Sequence, residues 1–98
     1  MLTPLDRDVI AVIARCLGRG GKVVIATPRS ADAALRRIDG VGTPGDVLVV
    51  LDARDDGAVL GAIDAARRRA MTIAAVGVAR RSQVARLADV VAAATDAA

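Results

Sequence analysis

Phenylalanine, tyrosine, tryptophan, histidine and glutamate are all missing from this chain of 98 residues, and cysteine and lysine occur once each. Each absence excludes something. Without aromatic rings, which bury ~150–250 Å² apiece, the interior has to be built from Val, Ile, Leu and Ala. Those small side chains are plentiful, since 54% of the residues are hydrophobic, yet a partner subunit could still supply what such a core lacks. Without histidine there is no imidazole general base and no ordinary His/Cys metal site. Cys16 stands alone on the apolar side of the first helical stretch, where a lone cysteine reads as a small buried hydrophobe rather than a nucleophile. Apolar runs are short: none approaches the ~18 residues of a membrane span, and Met1 to Asp8 has neither the basic start nor the apolar centre of a signal peptide. The expectation is a cytoplasmic protein without a membrane partner.

What is present is small and basic. The net charge is +3, the acidic residues are all Asp and the basic ones nearly all Arg, a bias that composition explains before chemistry does. The arginines form no long run and are not interleaved with aromatics, which argues against nucleic acid as a partner. Residues 1–98 are expected to make a single domain, near the lower end of what buries a good core unaided.

The chain is organised around Gly45 to Gly77. Val47 to Leu51 is an unbroken apolar, mostly β-branched run between turn formers, as a strand covered on both faces requires. From Val59 the period becomes helical, with Val59, Ile63, Ala66 and Ala70 on one stripe and Leu60 beside it. Asp55 and Asp56 at the start of that helix and Arg67, Arg68 and Arg69 in its last turn carry the signs the helix dipole favours. Met71 to Val76 restarts an apolar run that Gly77 closes, completing a βαβ unit with an expected right-handed crossover.

Around this unit, Thr3, Pro4 and Asp6 read as cap, first-turn proline and acidic third position of an N-terminal helix that turns Val9, Ile10, Ile13, Cys16 and Leu17 inward. Gly18, Gly20 and Gly21 stop it. Lys22 to Ala26 is the first strand; Ser30 is placed to cap the next helix, whose apolar stripe is Leu35 and Ile38 and whose end is Asp39-Gly40. Past the central unit, Ser82 caps a short helix through Leu87, Val90 to Ala93 is the last strand, and Thr95 to Ala98 is expected to fray.

These phrases resemble a SIS (sugar isomerase) domain. The likeness lies in Gly45-Asp46 opening a strand, the Ala- and Arg-rich helix, Met71-Thr72-Ile73-Ala74 opening the next strand, and the tail Ser82 to Val91 with its Leu87-Ala88-Asp89-Val90-Val91. The resemblance implies a three-layer α/β fold and a phosphosugar ligand. This chain has only Val41 to Pro44 between Gly40 and Gly45, where the family has a further strand and helix. The expected fold is therefore a short, flavodoxin-like or SIS-like parallel sheet of about four strands in sequential order. Its crossover helices would share one face, leaving the N-terminal helix alone on the other. Neither face of the strands alternates with polar residues, so a bare apolar surface and a homodimer or higher oligomer built on it are expected.

The family resemblance also directs attention to the turns after the strands, where open α/β sheets bind ligands. In the family a turn of Ser and Gly after the Gly-Asp strand grips phosphate; here it is Asp52-Ala53-Arg54-Asp55-Asp56, without hydroxyls and with three carboxylates. Thr27 and Ser30 persist in the first turn, with Pro28 and Arg29 where glycines would let backbone approach a ligand. Arg29, Arg54, Arg80 and Arg81 all follow strands and could clamp an anion from one rim, or could simply be the surface-loop arginines of an Arg-rich chain, some of them paired with Asp52, Asp55 and Asp56. Asp55 and Asp56 read as helix caps before they read as an acid/base pair, and nothing in the spacing singles out Asp52 with Asp55 as a catalytic couple.

The candidate ligand residues are thus Thr27, Arg29, Ser30, Asp52, Arg54, Arg80 and Arg81, with no catalytic residue, no metal and no cofactor implied. The leading expectation is a SIS-like module that binds a sugar phosphate or other small anion, or serves regulation, without catalysis. The alternatives are a phosphosugar isomerase completed at a subunit interface, and a structural homodimerisation domain without ligand.

Overall fold

The computed structural model describes residues 4–93; the cap at Thr3, the side chain of Asp6 and the stretch Thr95 to Ala98 lie outside them. In chain order the elements are α1 (Pro4–Gly18), β1 (Val23–Ala26), α2 (Ala31–Val41), β2 (Val47–Leu51), α3 (Gly57–Arg68), β3 (Thr72–Val78), α4 (Gln83–Leu87) and β4 (Val90–Ala93). The four strands form one all-parallel sheet in the order β1-β2-β3-β4. Helices α2, α3 and α4 pack on one face of the sheet, as crossovers of the usual right-handed sense repeated in one direction require.

That face carries the main core. Val24 and Ala26 of β1, Leu48 and Val50 of β2, and Ile73 and Ala75 of β3 pack with Ala34 and Ile38 of α2, Val59 and Ile63 of α3, and Val84 of α4. The opposite parity of the same strands, Val47, Val49, Ala74 and Ala92, packs under Val9 and Cys16 of α1, whereas Ile10 and Leu17, expected to face inward, fall on its outer flanks and are exposed. One helix covers more than the sequence led us to expect. The residues beneath it are small, so α1 approaches closely enough to bury the middle of the face, and the bare surface shrinks to a margin. Val23, Leu51, Val76 and Val90 are half-buried there, and Ile25 is 53% exposed at the β1 edge.

Three boundaries differ from the sequence reading, each for a local reason. Helix α2 runs through Gly40 to Val41 and is closed by Gly42, whose amide donates to the Ile38 carbonyl. No Cβ would fit at Gly42, which lies against Ile38 and Met71, so tertiary crowding selects this glycine over the earlier one as the stop. Strand β3 continues past Gly77 to Val78. Gly77 is a bulge with φ +70°, where the register with β4 slips, rather than a terminator. Ala70, expected on the buried stripe of α3, is exposed with φ +56°. It takes the left-handed position after the helix, and the amide of Met71 closes the turn on the Ala66 carbonyl.

Candidate functional site

At the amino-terminal end of the sheet the sequence placed no functional residue, yet the one buried charged side chain among the described residues is there. Asp46 is 1% exposed. Its Oδ1 accepts the Lys22 amide at 2.8 Å, its Oδ2 accepts the Thr43 amide at 2.9 Å, and Lys22 Nζ lies 3.1 Å from Oδ2. Burial by itself pushes the carboxyl up; the bonds from Lys22 and Thr43 outweigh it and hold the pKa at about 2, against an ordinary 3.8. Beside it the buried Cys16 Sγ lies 3.3 Å from the carbonyl oxygens of both Lys22 and Gly45, and its thiol can donate to either. Together these groups tie the starts of β1 and β2 to α1. Their chemistry is structural.

The carboxyl end is different. There a cavity of about 450 Å³ opens between the ends of β2 and β3, and its lining includes Asp52, Arg54, Asp55, Gly77, Arg81 and Ser82. Two left-handed residues make its floor. Asp52, at φ +50°, donates its amide to the Val76 carbonyl at 2.8 Å as the chain leaves β2. Gly77, across from it on β3, has the Asp52 carboxylate where a Cβ would be. Glycine is required there twice over, by its positive φ and by this contact. Backbone held in sparsely populated conformations concentrates at binding sites, so the floor itself is an observation in favour of one.

Two carboxylates of this rim are engaged by backbone amides. Asp56 caps α3, its Oδ1 accepting the amides of Ala58 at 2.8 Å and Val59 at 3.1 Å. Asp55 does not share that task, as the sequence suggested; it reaches across to α4, its two oxygens accepting the amides of Gln83 and Val84 at 2.9 Å each. Those two bonds, helped by the charge of Arg86 and opposed by partial desolvation, lower its pKa. With Ser82 Oγ accepting the Ala85 amide at 3.1 Å, the start of α4 is filled by the chain's own groups. The start of α3, next to the turn where the resemblance would seat a phosphate, is filled in the same way by Asp56.

The arginines are not committed. Among the described residues the only carboxylate–cation pairs are Lys22 with Asp46 and Arg68 with Asp64, so Arg29, Arg54, Arg80 and Arg81 are exposed and unpaired. The pairing of some of them with Asp52, Asp55 and Asp56 is absent among the described residues, while their exposure is that of surface-loop arginines. Of the seven candidate residues the cavity brings together Asp52, Arg54 and Arg81. Thr27, Arg29, Ser30 and Arg80 stand outside it.

Thr27 and Ser30 are spent on their own turn. Their hydroxyls are 3.0 Å apart, and Ser30 Oγ accepts the Thr27 amide at 3.0 Å. Ser30 occupies the cap position of α2 but makes no side-chain bond to it, which corrects the capping role expected of it. The residues missed by the sequence reading are Gly77, taken as a full stop, and Asp55 in its contact with α4. The first had a signal in its isolation within an apolar run; the second pairs residues 28 positions apart, which no local spacing encodes.

Among the described residues no three His, Cys, Asp or Glu side chains gather to hold a metal ion, and no helix is long and apolar enough to cross a membrane. No protein-family model matches the chain, and no curated protein matches it.

Proposed function

We propose that this chain is a non-catalytic, SIS-like module that binds a small sugar phosphate or a similar anionic metabolite on the carboxyl rim, between β2 and β3. The observation that carries the reading is the division of charge there. Arg54 and Arg81 line one cavity unpaired, whereas Asp55 and Asp56 beside them are engaged by the amides of α4 and α3. A guanidinium offers a planar fork of donors that suits a phosphate or carboxylate. Asp52, with no charged partner, supplies an acceptor for sugar hydroxyls on the same floor. Phosphate is thereby gripped by side chains, in place of the helix amides that the chain has filled itself.

Catalysis is not part of the proposal. Aldose–ketose interconversion needs a group that takes and returns a proton near neutral pH. The chain has no His or Glu, and Asp55 is held ionised by its amide bonds. A thermal-shift series with hexose 6-phosphate, the parent hexose and inorganic phosphate tests the reading. The phosphorylated sugar is expected to stabilise most, by about 2.7 kcal/mol at a hundred times its dissociation constant, with no turnover in a coupled isomerase assay. Turnover abolished by Asp52→Asn would establish the enzyme reading instead.

A second reading, self-association, has its own observation. Ile10, Leu17, Ile25 and Val41 are each about half exposed in a chain with few large side chains to spare.

A further inference from the structure

We propose that two copies of the chain pair antiparallel along the open edge of β1, joining their sheets into one. This deepens the self-association reading and rests on it.

Strand β1 is bonded to β2 alone. The amide of Val47 donates to the carbonyl of Lys22 at 3.0 Å. Bonding alternates along a parallel ladder, so Val24 and Ala26 also turn their N–H and C=O toward β2. Val23 and Ile25 then turn theirs outward. These four groups sit on a strand with no charge, no proline and no bulge, the devices that normally keep an edge from pairing. At the upper end the edge is closed, because Thr27, the next outward residue, gives its amide to Ser30 Oγ.

A second copy fits this edge group for group. With a twofold axis through Val24, Val23 of one chain faces Ile25 of the other, and each such pair exchanges two hydrogen bonds. Every outward N–H and C=O of Val23 and Ile25 is then satisfied in both chains. The side chains agree with the main chain. On the α1 face Val23 and Ile25 meet as an apolar cross-strand pair, which covers an isoleucine now 53% exposed. On the other face a groove of about 260 Å³ runs between β1 and α2, walled by Ala33, Ala34 and Arg37. Its small alanines leave room for the second α2, and Val41, half exposed one turn beyond Arg37, lies on the same flank.

Sedimentation velocity of the whole chain at micromolar concentration tests this. Wild type is expected at twice the 10.0 kDa chain mass. Ile25→Pro removes an outward N–H and leaves the ladder to β2 intact, and Ala33→Arg fills the groove from an exposed helix position. Each is expected to weaken the dimer at least about tenfold, while Arg68→Ala, at an exposed position of α3, leaves it unchanged. If Ile25→Pro loses its native circular dichroism, Ala33→Arg decides. A monomeric wild type, including one whose edge binds only an added foreign β-peptide, overturns both the pairing and the self-association reading. A dimer that survives the folded β1 and α2 variants keeps self-association and overturns the β1 edge as its surface.

Discussion

Aspartate satisfies backbone amides at both ends of this sheet, and the two ends use it to opposite effect. At the amino end Asp46 is buried, accepts amides from Lys22 and Thr43 and pairs with the Lys22 ammonium. No charge is left over there. At the carboxyl end Asp55 and Asp56 are exposed and accept the first amides of α4 and α3, while Asp52, Arg54 and Arg81 of the same cavity have no charged partner. Identical chemistry thus locks one end and leaves the other an open, charged rim. Burial decides which, because an amide–carboxylate bond removed from water cannot be replaced by solvent when it is lost.

Asp46→Ala is expected to have the largest effect on stability. It strands the Lys22 and Thr43 amides without their buried acceptor, and should cost about 2 to 3 kcal/mol in chemical denaturation. Lys22→Met should cost under about 1 kcal/mol, since the Lys22 side chain is 39% exposed and its ion pair is correspondingly weak. A loss as large from Lys22→Met would mean that the ion pair, not the amide bonds, holds this end.

Acid sharpens the same point. The folded carboxyl of Asp46 titrates at about 2 and the unfolded one near 3.8, so the stability it contributes is complete above about pH 4 and is lost as the pH falls through 2, about 2 kcal/mol in all. That part of the acid dependence should be absent from Asp46→Asn. An unchanged pH profile in the variant would assign the acid loss to other carboxylates. Asp55 shifts in the same direction, and its contribution likewise fades as the pH drops below the ordinary carboxylate range.

A smaller effect is expected at the rim. Asp56→Ala removes a helix cap with two bonds and should cost about 1 kcal/mol. The loss of Asp55 should show chiefly as faster amide exchange at Gln83 and Val84. Equal global losses from Asp46→Ala and Asp56→Ala would erase the distinction between the ends.

The frame of this fold was legible in the sequence because a parallel strand covered on both faces leaves an unmistakable trace. Val47 to Leu51 and Val90 to Ala93 have the expected bounds, and a single crossover between successive apolar runs dictates the sequential order. Other features were not legible because their causes are tertiary. Gly40 and Gly42 look alike as helix stops until Met71 and Ile38 crowd the second. Gly77 reads as a terminator until the carboxylate of Asp52 shows why the strand bulges there and continues. At the candidate site, the sequence brought Asp52, Arg54 and Arg81 onto one rim, and the cavity includes all three. It could not show that Thr27 and Ser30 consume each other, nor that Asp55 serves a helix one crossover away.

If Arg54 and Arg81 are the cations that grip an anion at the carboxyl rim, isothermal titration calorimetry of hexose 6-phosphate against wild type, Arg54→Ala, Arg81→Ala and Lys22→Met will show it. Expected are measurable binding to wild type, a loss of at least about tenfold in each arginine variant, as when a charge-assisted hydrogen bond is removed, and unchanged affinity in Lys22→Met. Binding that survives the loss of both arginines, or a wild type with no heat of binding at millimolar ligand, would contradict it.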